Sequence, residues 1–315
     1  MIITSCPLRI SLFGGSTDNP YFVEKYGRGS VISFTSNLKT YVTISQDKIG
    51  YNNQQHKYLI NYSKREEVYL IDEIQNEVVR TVLKYYNMPP VQVTLTSDAY
   101  SQGSGLASSS SYTISLIKAC CLFLGKSITN NDVCKLAFEL ERIYNPYCGY
   151  QDPYGCGVGG FKRITFMGDN SVTYEFLSTN IFEQYDAHLI FTGVTRNSKR
   201  ILKNITENLD KVRPLLKTCD EAYNIFVDGD YDKFFYLLGE SWSQKKNTSV
   251  TIAENETIRE IDSVLENNES VIAHKLCGAG NGGFFLVFSE KNTLTIPYES
   301  VKIDIETDGV YGKSI

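Results

Sequence analysis

Three stretches of the chain hold residue types that could do chemistry together. The first is Ser97-Asp98-Ala99-Tyr100-Ser101-Gln102-Gly103-Ser104-Gly105-Leu106-Ala107-Ser108-Ser109-Ser110-Ser111. It follows a strand-like run and opens a helix-like one, so its backbone N–H groups and the positive helix end would converge on an anion. A Walker A loop would need a Lys here, and a dinucleotide fingerprint would need a Gly at position 108, where Ser stands. The serines supply hydroxyls for a phosphate oxygen or Mg²⁺. A Gly/Ser turn with good N-cap residues is the plainer reading of the same letters.

The second stretch is Glu139-Leu140-Glu141-Arg142 with Gln151-Asp152. At 100° per residue, Glu141 falls beside Cys134 at the edge of an apolar helix stripe, and Arg142 points to the opposite, solvated face. Asp152 is expected in a loop leading to the small-residue run Gly155-Cys156-Gly157-Val158-Gly159-Gly160. One carboxylate could hold a metal while the other takes a proton; equally, Glu141 could pair with a surface cation and Asp152 cap the next helix. The third stretch is Lys275-Leu276-Cys277-Gly278-Ala279-Gly280-Asn281-Gly282-Gly283. Its glycines exceed what a hairpin needs, which points to backbone packed against a ligand or against another loop, unless it is a plain turn.

The elements that must position these residues mix α and β. Residues 38–44 and 91–95 alternate with period two, as half-buried strands do, and residues 161–166 form another strand-like run. Apolar spacing predicts a helix within 68–86, and residues 108–124 form a helix apolar nearly all round, stopped by Gly125. Thr129 is placed to cap a third helix carrying Val133, Leu136, Ala137, Leu140 and Tyr144. Beyond a polar break near 168–180, residues 188–191 and 284–288 read as strands; 198–209, 213–227, 231–238 and 257–265 read as helices.

The 315 residues carry 31 Lys+Arg against 36 Asp+Glu, a formal charge of −5, and their length leads one to expect two domains. No basic face is written in the chain, only short pairs such as Lys199-Arg200, so nucleic acid is not the expected partner. The best apolar stretch, 114–124, is far too short to span a bilayer and carries Lys118. Residues 1–9 lack a basic segment followed by an apolar one, so no secretory leader is expected. The 8 Cys contain no C-x-x-C pair and should be buried free thiols, which fits a reducing cytoplasm. Of the 3 His, His56 and His188 are expected as satisfied loop or core groups, with His274 beside the third stretch only slightly better placed.

Taken in order, the three stretches resemble the GHMP kinases, the family of galactokinase, homoserine kinase, mevalonate kinase and phosphomevalonate kinase. Residues 102–110 resemble its Pro-x-x-x-Gly-Leu-Gly-Ser-Ser-Ala motif, residues 277–283 its C-terminal glycine loop, and Arg9-Ile10-Ser11-Leu12-Phe13-Gly14-Gly15-Ser16-Thr17-Asp18 its N-terminal sugar-kinase segment. The resemblance implies an α+β, two-domain fold: a ribosomal-protein-S5-like N-terminal domain, here 1–175, a ferredoxin-like C-terminal domain, here 176–315, and the active site between them. Within the family, Gly14-Gly15-Ser16-Thr17-Asp18-Asn19-Pro20, Glu141-Arg142, Gln151-Asp152-Pro153-Tyr154 and Thr192-Gly193-Val194-Thr195-Arg196 most resemble the D-glycero-D-manno-heptose 7-phosphate kinases.

That resemblance implies a cytoplasmic enzyme using ATP and Mg²⁺, acting on the anomeric hydroxyl of a sugar phosphate. Similar kinases act on fucose or other sugars, and a non-catalytic sugar and nucleotide sensor on the same fold is a further alternative. By matching position it makes Asp152 the base, Arg9 the cation near the transferred group, and Ser109 with Glu141 the Mg²⁺ ligands. Gln102, Gly103, Ser104, Gly105, Leu106, Ala107, Ser108 and Ser109 would hold the ATP phosphates. Gly15, Ser16, Thr17, Asp18 and Gln151 would hold the sugar, with Gly278, Ala279, Gly280, Asn281 and Gly282 as the third-motif loop. For an acceptor phosphate, Arg196, Lys199 and Arg200 are the cations at the start of a helix. The chain departs from the pattern at Ala107, tolerable where the backbone needs no positive φ, at Ser110-Ser111 in place of an apolar pair, and at Asn281, which accepts left-handed geometry.

Overall fold

The computed structural model describes residues 1–46, 57–100, 103–195 and 198–315, without the side chains of 198–200. In chain order the elements are β1 (Ile2–Phe13), α1 (Pro20–Tyr26), β2 (Arg28–Ser45), β3 (Tyr58–Asn61), β4 (Arg65–Val68), α2 (Glu77–Tyr85), β5 (Gln92–Ser97), α3 (Ser108–Phe123), α4 (Asn130–Tyr144), α5 (Gln151–Val158), β6 (Phe161–Met167) and β7 (Val172–Phe176). There follow α6 (Ile181–Gln184), β8 (Tyr185–Phe191), α7 (Ser198–Thr206), α8 (Arg213–Val227), α9 (Tyr231–Thr248), α10 (Glu256–Glu266), β9 (Ala273–Leu276), β10 (Phe284–Glu290), β11 (Ser300–Ile303) and β12 (Tyr311–Ser314).

Two sheets organise the molecule. The larger runs β12-β1-β2-β5-β3-β4, with β6 and β7 continuing from the other stretch of the long β2; the smaller runs β11-β8-β10-β9. Every pairing is antiparallel except β3 with β5. The larger sheet is built from strands up to β7, which ends at Phe176, and from β12, which returns to pair with β1; the smaller is built from strands between Tyr185 and Ile303. Arg28 of β2 and Arg163 of β6 both reach Asp220 of α8, and the Arg163 guanidinium lies 4.3 Å from the Tyr223 ring centre.

Helix α3 is buried over most of its surface, including Ser110, Ser111, Thr113 and Ser115, because it lies against β1, β2, α4 and α5. Among its buried hydroxyls, Ser111 donates to the Cys6 carbonyl at 2.9 Å and lies 2.6 Å from the Thr40 hydroxyl. The Thr129 side chain accepts from the Asp132 N–H and starts α4, in the manner the sequence leads one to expect. All 8 cysteines are buried and free. Burial raises the pKa of the Cys120, Cys134 and Cys148 thiols, so these are packing groups.

Four local expectations need correction. The helix expected within 68–86 is only Glu77–Tyr85, because Arg65–Val68 pairs with β3 and Asn76 caps the helix, its side chain accepting from the Val79 N–H at 3.1 Å. The buried Glu66 carboxylate also accepts from the N–H groups of Gln75 and Asn76, fixing that start. The helix expected over 231–238 runs on to Thr248, since Ser241, Trp242, Lys245 and Thr248 are buried by the second half of the chain. Asp152 sits not in a loop but in the first turn of α5, a helix whose glycines let it lie close: a Cβ at Gly155 would stand 3.1 Å from Arg9, and one at Gly157 2.4 Å from the Cys134 sulfur. Arg142 does not face solvent; it is half-buried, 5.6 Å from the Phe138 ring centre, and Phe138 stacks on Tyr150.

Candidate active site

A cavity of about 410 Å³ opens between the two sheets. At one end the loop 103–107 enters α3, and Asn76, Glu77 and Val78 from the start of α2 line the same wall. The loop is braced by its own hydroxyls: Ser104 accepts from the Leu106 N–H at 3.2 Å and lies 3.0 Å from the Ser108 hydroxyl. It is also braced by the third stretch. Phe284 N–H donates to the Ser104 carbonyl at 3.2 Å, and a Cβ on Gly283 would stand 2.1 Å from that oxygen. Of the two alternatives for the glycine-rich segment, packing against the other loop is therefore realised. Asn281 adopts φ +58°, as an Asn can, and its N–H bonds the Ile252 carbonyl at 2.7 Å.

Ala107 is the correction within this loop. It sits immediately before α3 at φ +62°, the left-handed geometry that a Cβ disfavours. The backbone needs positive φ there, and the alanine bears it.

In the centre stand Arg9 and Asp152. The ladder between β1 and β2 shifts register on both sides of Arg9, and the Arg9 N–H bonds the Leu106 carbonyl at 3.2 Å. Its guanidinium is buried; Nε and Nη2 donate to Asp152 Oδ1 at 3.0 and 2.5 Å, and Nη1 donates to the Gly105 carbonyl at 2.6 Å. Arg9 thus ties the loop, the strand and the Asp152 carboxylate together. Asp152 is the exposed partner, at 37%, and faces the cavity.

Glu141 is 3% exposed and lines the cavity from α4. Its carboxylate accepts from Ser110 at 2.7 Å, from Thr113 at 3.3 Å and from Tyr144 at 3.4 Å. Burial pushes its pKa up to about 7, against the pull of the Ser110 hydrogen bond. Ser109 is exposed on the first turn of α3 and lines the same cavity. A buried carboxylate whose charge is met only by hydroxyls, beside an open serine, suits a hard cation. Among the described residues no cluster of three or more His, Cys, Asp or Glu is placed to hold a metal. Such a site would suit Mg²⁺ carried in with phosphates, since that ion takes one or two carboxylates plus substrate oxygens.

At the far end, Asp18 is buried, its Oδ1 accepting from the Ser16 N–H at 3.1 Å and its Oδ2 from the Gln151 N–H at 3.0 Å. Burial and then the nearby Asp152 charge raise its pKa. Gln151 accepts from the Ser11 hydroxyl at 2.7 Å and reaches Asp152 with its amide at 3.4 Å. Gly15 and Ser16 line the cavity; Thr17 is buried behind them, its hydroxyl donating to the Gly14 and Ser30 carbonyls. Gly278 and Ala279 also line it, whereas Gly280 packs on Ile252. Gln102, Arg196 and His56 lie outside the described residues, as do the side chains of Lys199 and Arg200. His274 does not face the cavity; its Nε2 bonds Asp262 at 2.9 Å.

Ser11, Ser110, Tyr144, Ser241, Lys245 and Lys275 also belong to this cavity and escape a motif reading. Ser11, Ser110 and Lys275 fall within the stretches singled out from the sequence, but nothing in the spacing assigned them a role there.

Residues 73–160 match the family model "GHMP kinases N terminal domain". The D-glycero-alpha-D-manno-heptose 7-phosphate kinase of Campylobacter jejuni is 27% identical over 308 residues, covering 91% of this chain and 89% of that protein. The structure of a D-glycero-D-manno-heptose 1-phosphate kinase from Bacteroides thetaiotaomicron superposes with a TM-score of 0.77 at 20% identity, over 100% of this chain and 99% of that one. The chain is thus similar to GHMP kinases, through the family's N-terminal domain at residues 73–160 and through a sugar-kinase relative over about nine-tenths of its length. A galactokinase of Lactococcus lactis, solved with galactose, has the same GHMP fold at a TM-score of 0.76 and 15% identity, covering 100% of this chain and 95% of that one. GHMP kinases are phosphotransferases with a hydroxyl acceptor, and the mixed α+β, two-sheet architecture found here is theirs. Among the described residues no helix is long and apolar enough to cross a membrane.

Proposed function

We propose that the protein transfers the γ-phosphoryl group of ATP to the anomeric hydroxyl of D-glycero-D-manno-heptose 7-phosphate. The product would be heptose 1,7-bisphosphate, a step toward a nucleotide-activated heptose for surface polysaccharide. The carrying observation is the Arg9–Asp152 pair, set between a loop at a helix N-terminus and the Asp18 end of one cavity. The likeness to the Campylobacter jejuni heptose 7-phosphate kinase over most of both chains supports the choice of acceptor.

In this reading the N–H groups of residues 103–109 and the start of α3 bind the ATP phosphates, with Gln102 as a further expected contact. Asp152 accepts the proton of the acceptor hydroxyl while its oxygen bonds to the γ-phosphorus; the bond to the β–γ bridging oxygen breaks and ADP leaves. Arg9 holds Asp152 and brings a fixed positive charge close to the transferred group. Asp18, Gln151, Ser16 and Gly15 hold the sugar hydroxyls, and Thr17 shapes their turn. Glu141 and Ser109 would hold Mg²⁺, which supplies charge neutralisation on the phosphates when bound. Gly283 and Phe284, at the end of the third stretch, brace the phosphate loop at Ser104.

A coupled assay for ADP release over heptose 7-phosphate, free heptose, fucose and galactose tests the proposal. Fastest turnover with heptose 7-phosphate is expected. Preference for fucose or galactose would move the protein to a related sugar 1-kinase, and binding of sugar and nucleotide with no turnover would make it a sensor.

A further inference from the structure

Asp152 is only as well placed as α5, and α5 is a weak helix by composition: Gly155 and Gly157 lie within its eight residues, and Gly159 and Gly160 follow. Its first turn is held by Asp18, whose carboxylate accepts from the Gln151 N–H and whose carbonyl accepts from the Tyr150 N–H at 3.2 Å. At the other end Gly159 leaves the helix at φ +81°, and the carbonyls there are met from elsewhere in the chain. The Lys162 ammonium of β6 donates to the carbonyls of Gly155 at 3.0 Å, Gly159 at 2.6 Å and Gly160 at 3.3 Å. Val310 N–H, just before β12, donates to the Gly157 carbonyl at 3.1 Å.

Lys162 is fully buried and lies behind α5 rather than on the cavity wall. Its three N–H donors match the three carbonyls one for one. The titratable groups around it are the thiols of Cys6 on β1, Cys134 on α4 and Cys156 on α5. Burial raises the pKa of Cys134 and Cys156, so both stay neutral. The ammonium is therefore met by backbone dipoles at a helix C-terminus. An apolar side chain would fill this space without the cost of burying a charge, so packing alone does not call for a lysine. The grip also lies close to the chemistry. Gly155 is one turn on from Asp152, and a Cβ there would stand 3.1 Å from the Arg9 side chain, whose guanidinium donates twice to Asp152.

We propose that Lys162 is a positioning residue for phosphoryl transfer: its ammonium, clamped on the carbonyls behind α5, fixes that helix against Arg9 and so sets where the Asp152 carboxylate meets the acceptor hydroxyl. The inference rests on the role given to Asp152 above. A misplacement of about 1 Å is enough to cost on the order of 100-fold in rate. The clamp also depends on protonation. An ammonium offers three N–H bonds to three carbonyls, whereas the neutral amine offers two and turns a lone pair toward the third. Burial lowers the Lys162 pKa to about 8, so the grip weakens as the pH rises through that value. Lys275, on the cavity wall, is also lowered to about 8 by burial, so variants must separate the two amines.

The test is a double-mutant cycle on kcat with Lys162→Met, Asp152→Asn and the combined variant, using ATP and heptose 7-phosphate, with thermal melts to report folding. Lys162→Met should lower kcat about 10- to 100-fold and move the KM of either substrate less than about 3-fold. In the Asp152→Asn background the same change should cost less than about 3-fold, because the carboxylate it positions is gone. Equal losses in both backgrounds would overturn the inference and leave Lys162 a support of the fold. The pH dependence checks the clamp with Lys162 in place: wild-type kcat should fall above about pH 8, and Asp152→Asn should lose that fall. A wild type with no such fall, or one that Asp152→Asn retains as a Lys275 titration would, overturns the inference even where Lys162→Met does not fold. Near-normal turnover of Asp152→Asn sinks the role given to Asp152; an impaired Asp152→Asn beside a Lys162→Met of normal kcat sinks this inference alone.

Discussion

At the end of the cavity proposed to take the nucleotide, loop residues 103–107 run straight into α3 within one stretch of chain; at the end proposed to take the acceptor, Ser16 of the turn after β1 meets Lys245 of α9. The first end works through backbone N–H groups, so glycines and short hydroxyl residues suffice and the side chains mainly set the loop's shape. The second works through the side chains of Asp18, Gln151 and Lys245, whose positions depend on how α5, α9 and β1 pack. A site of this kind can keep one end unchanged while the other is refitted to a new acceptor. Arg9 and Asp152 sit where the two ends meet.

The largest effect should come from that junction. Asp152→Asn is expected to lower kcat by at least ~100-fold, with KM for ATP little changed. Near-normal turnover would reduce Asp152 to orienting the sugar and would make the junction part of the acceptor end. Glu141→Gln probes the nucleotide end: the Mg²⁺ concentration for half-maximal rate should rise on the order of 50-fold, whereas the KM for the sugar should hold. A sugar defect with unchanged Mg²⁺ dependence would put Glu141 on the wrong side of the comparison.

A smaller effect separates the ends by pH. Burial alone would raise the pKa of Asp262, but the bonds from His274, Lys246 and Trp242 hold it at about 2, below its ordinary 3.8. A carboxylate held low stabilises the fold above pH 3.8, and that stabilisation is lost as the pH falls through 2. Asp262→Asn should therefore cost about 2 kcal/mol in urea unfolding at pH 7, with the gap to wild type closing between about pH 4 and pH 2. It should also weaken sugar binding more than ATP binding, because Asp262 braces α9. A gap independent of pH would mean that lost packing, not lost charge pairing, explains the cost.

The smallest effect belongs to the phosphate loop. Ala107→Gly relieves a left-handed alanine at the cost of a freer unfolded chain and should gain about 1 kcal/mol in urea unfolding. A lower midpoint for the variant would show that the loop is not strained there.

How far the sequence could be read follows the same division. Helices α4 and α8 are legible because each buries a periodic apolar face, α4 also because Thr129 announces its start, and α3 because a long run apolar nearly all round stops at Gly125. Residues 68–86 misled because apolar spacing does not say that Arg65–Val68 will find a strand partner in β3. Helix α9 looked short because its last turns are polar, and only the cavity and Asp262 behind it bury them. The small-residue run after Asp152 reads as loop, whereas the missing Cβ atoms of Gly155 and Gly157 are what let α5 lie against Arg9 and Cys134.

By itself, then, the sequence determined the groups whose chemistry depends on neighbours along the chain: the glycine and serine loop before a helix, the buried free thiols, and the acidic and basic side chains at 9, 141 and 152. The tertiary structure alone decided which of them share a cavity and what each meets there. Arg9 is held by Asp152 and Gly105, Glu141 by Ser110, the glycine loop by Ser104, and Ser16 by Lys245. The reason is physical: backbone conformation and helix periodicity act over a few residues, whereas burial, pKa and hydrogen-bond partnership are set by contacts between segments far apart in the chain.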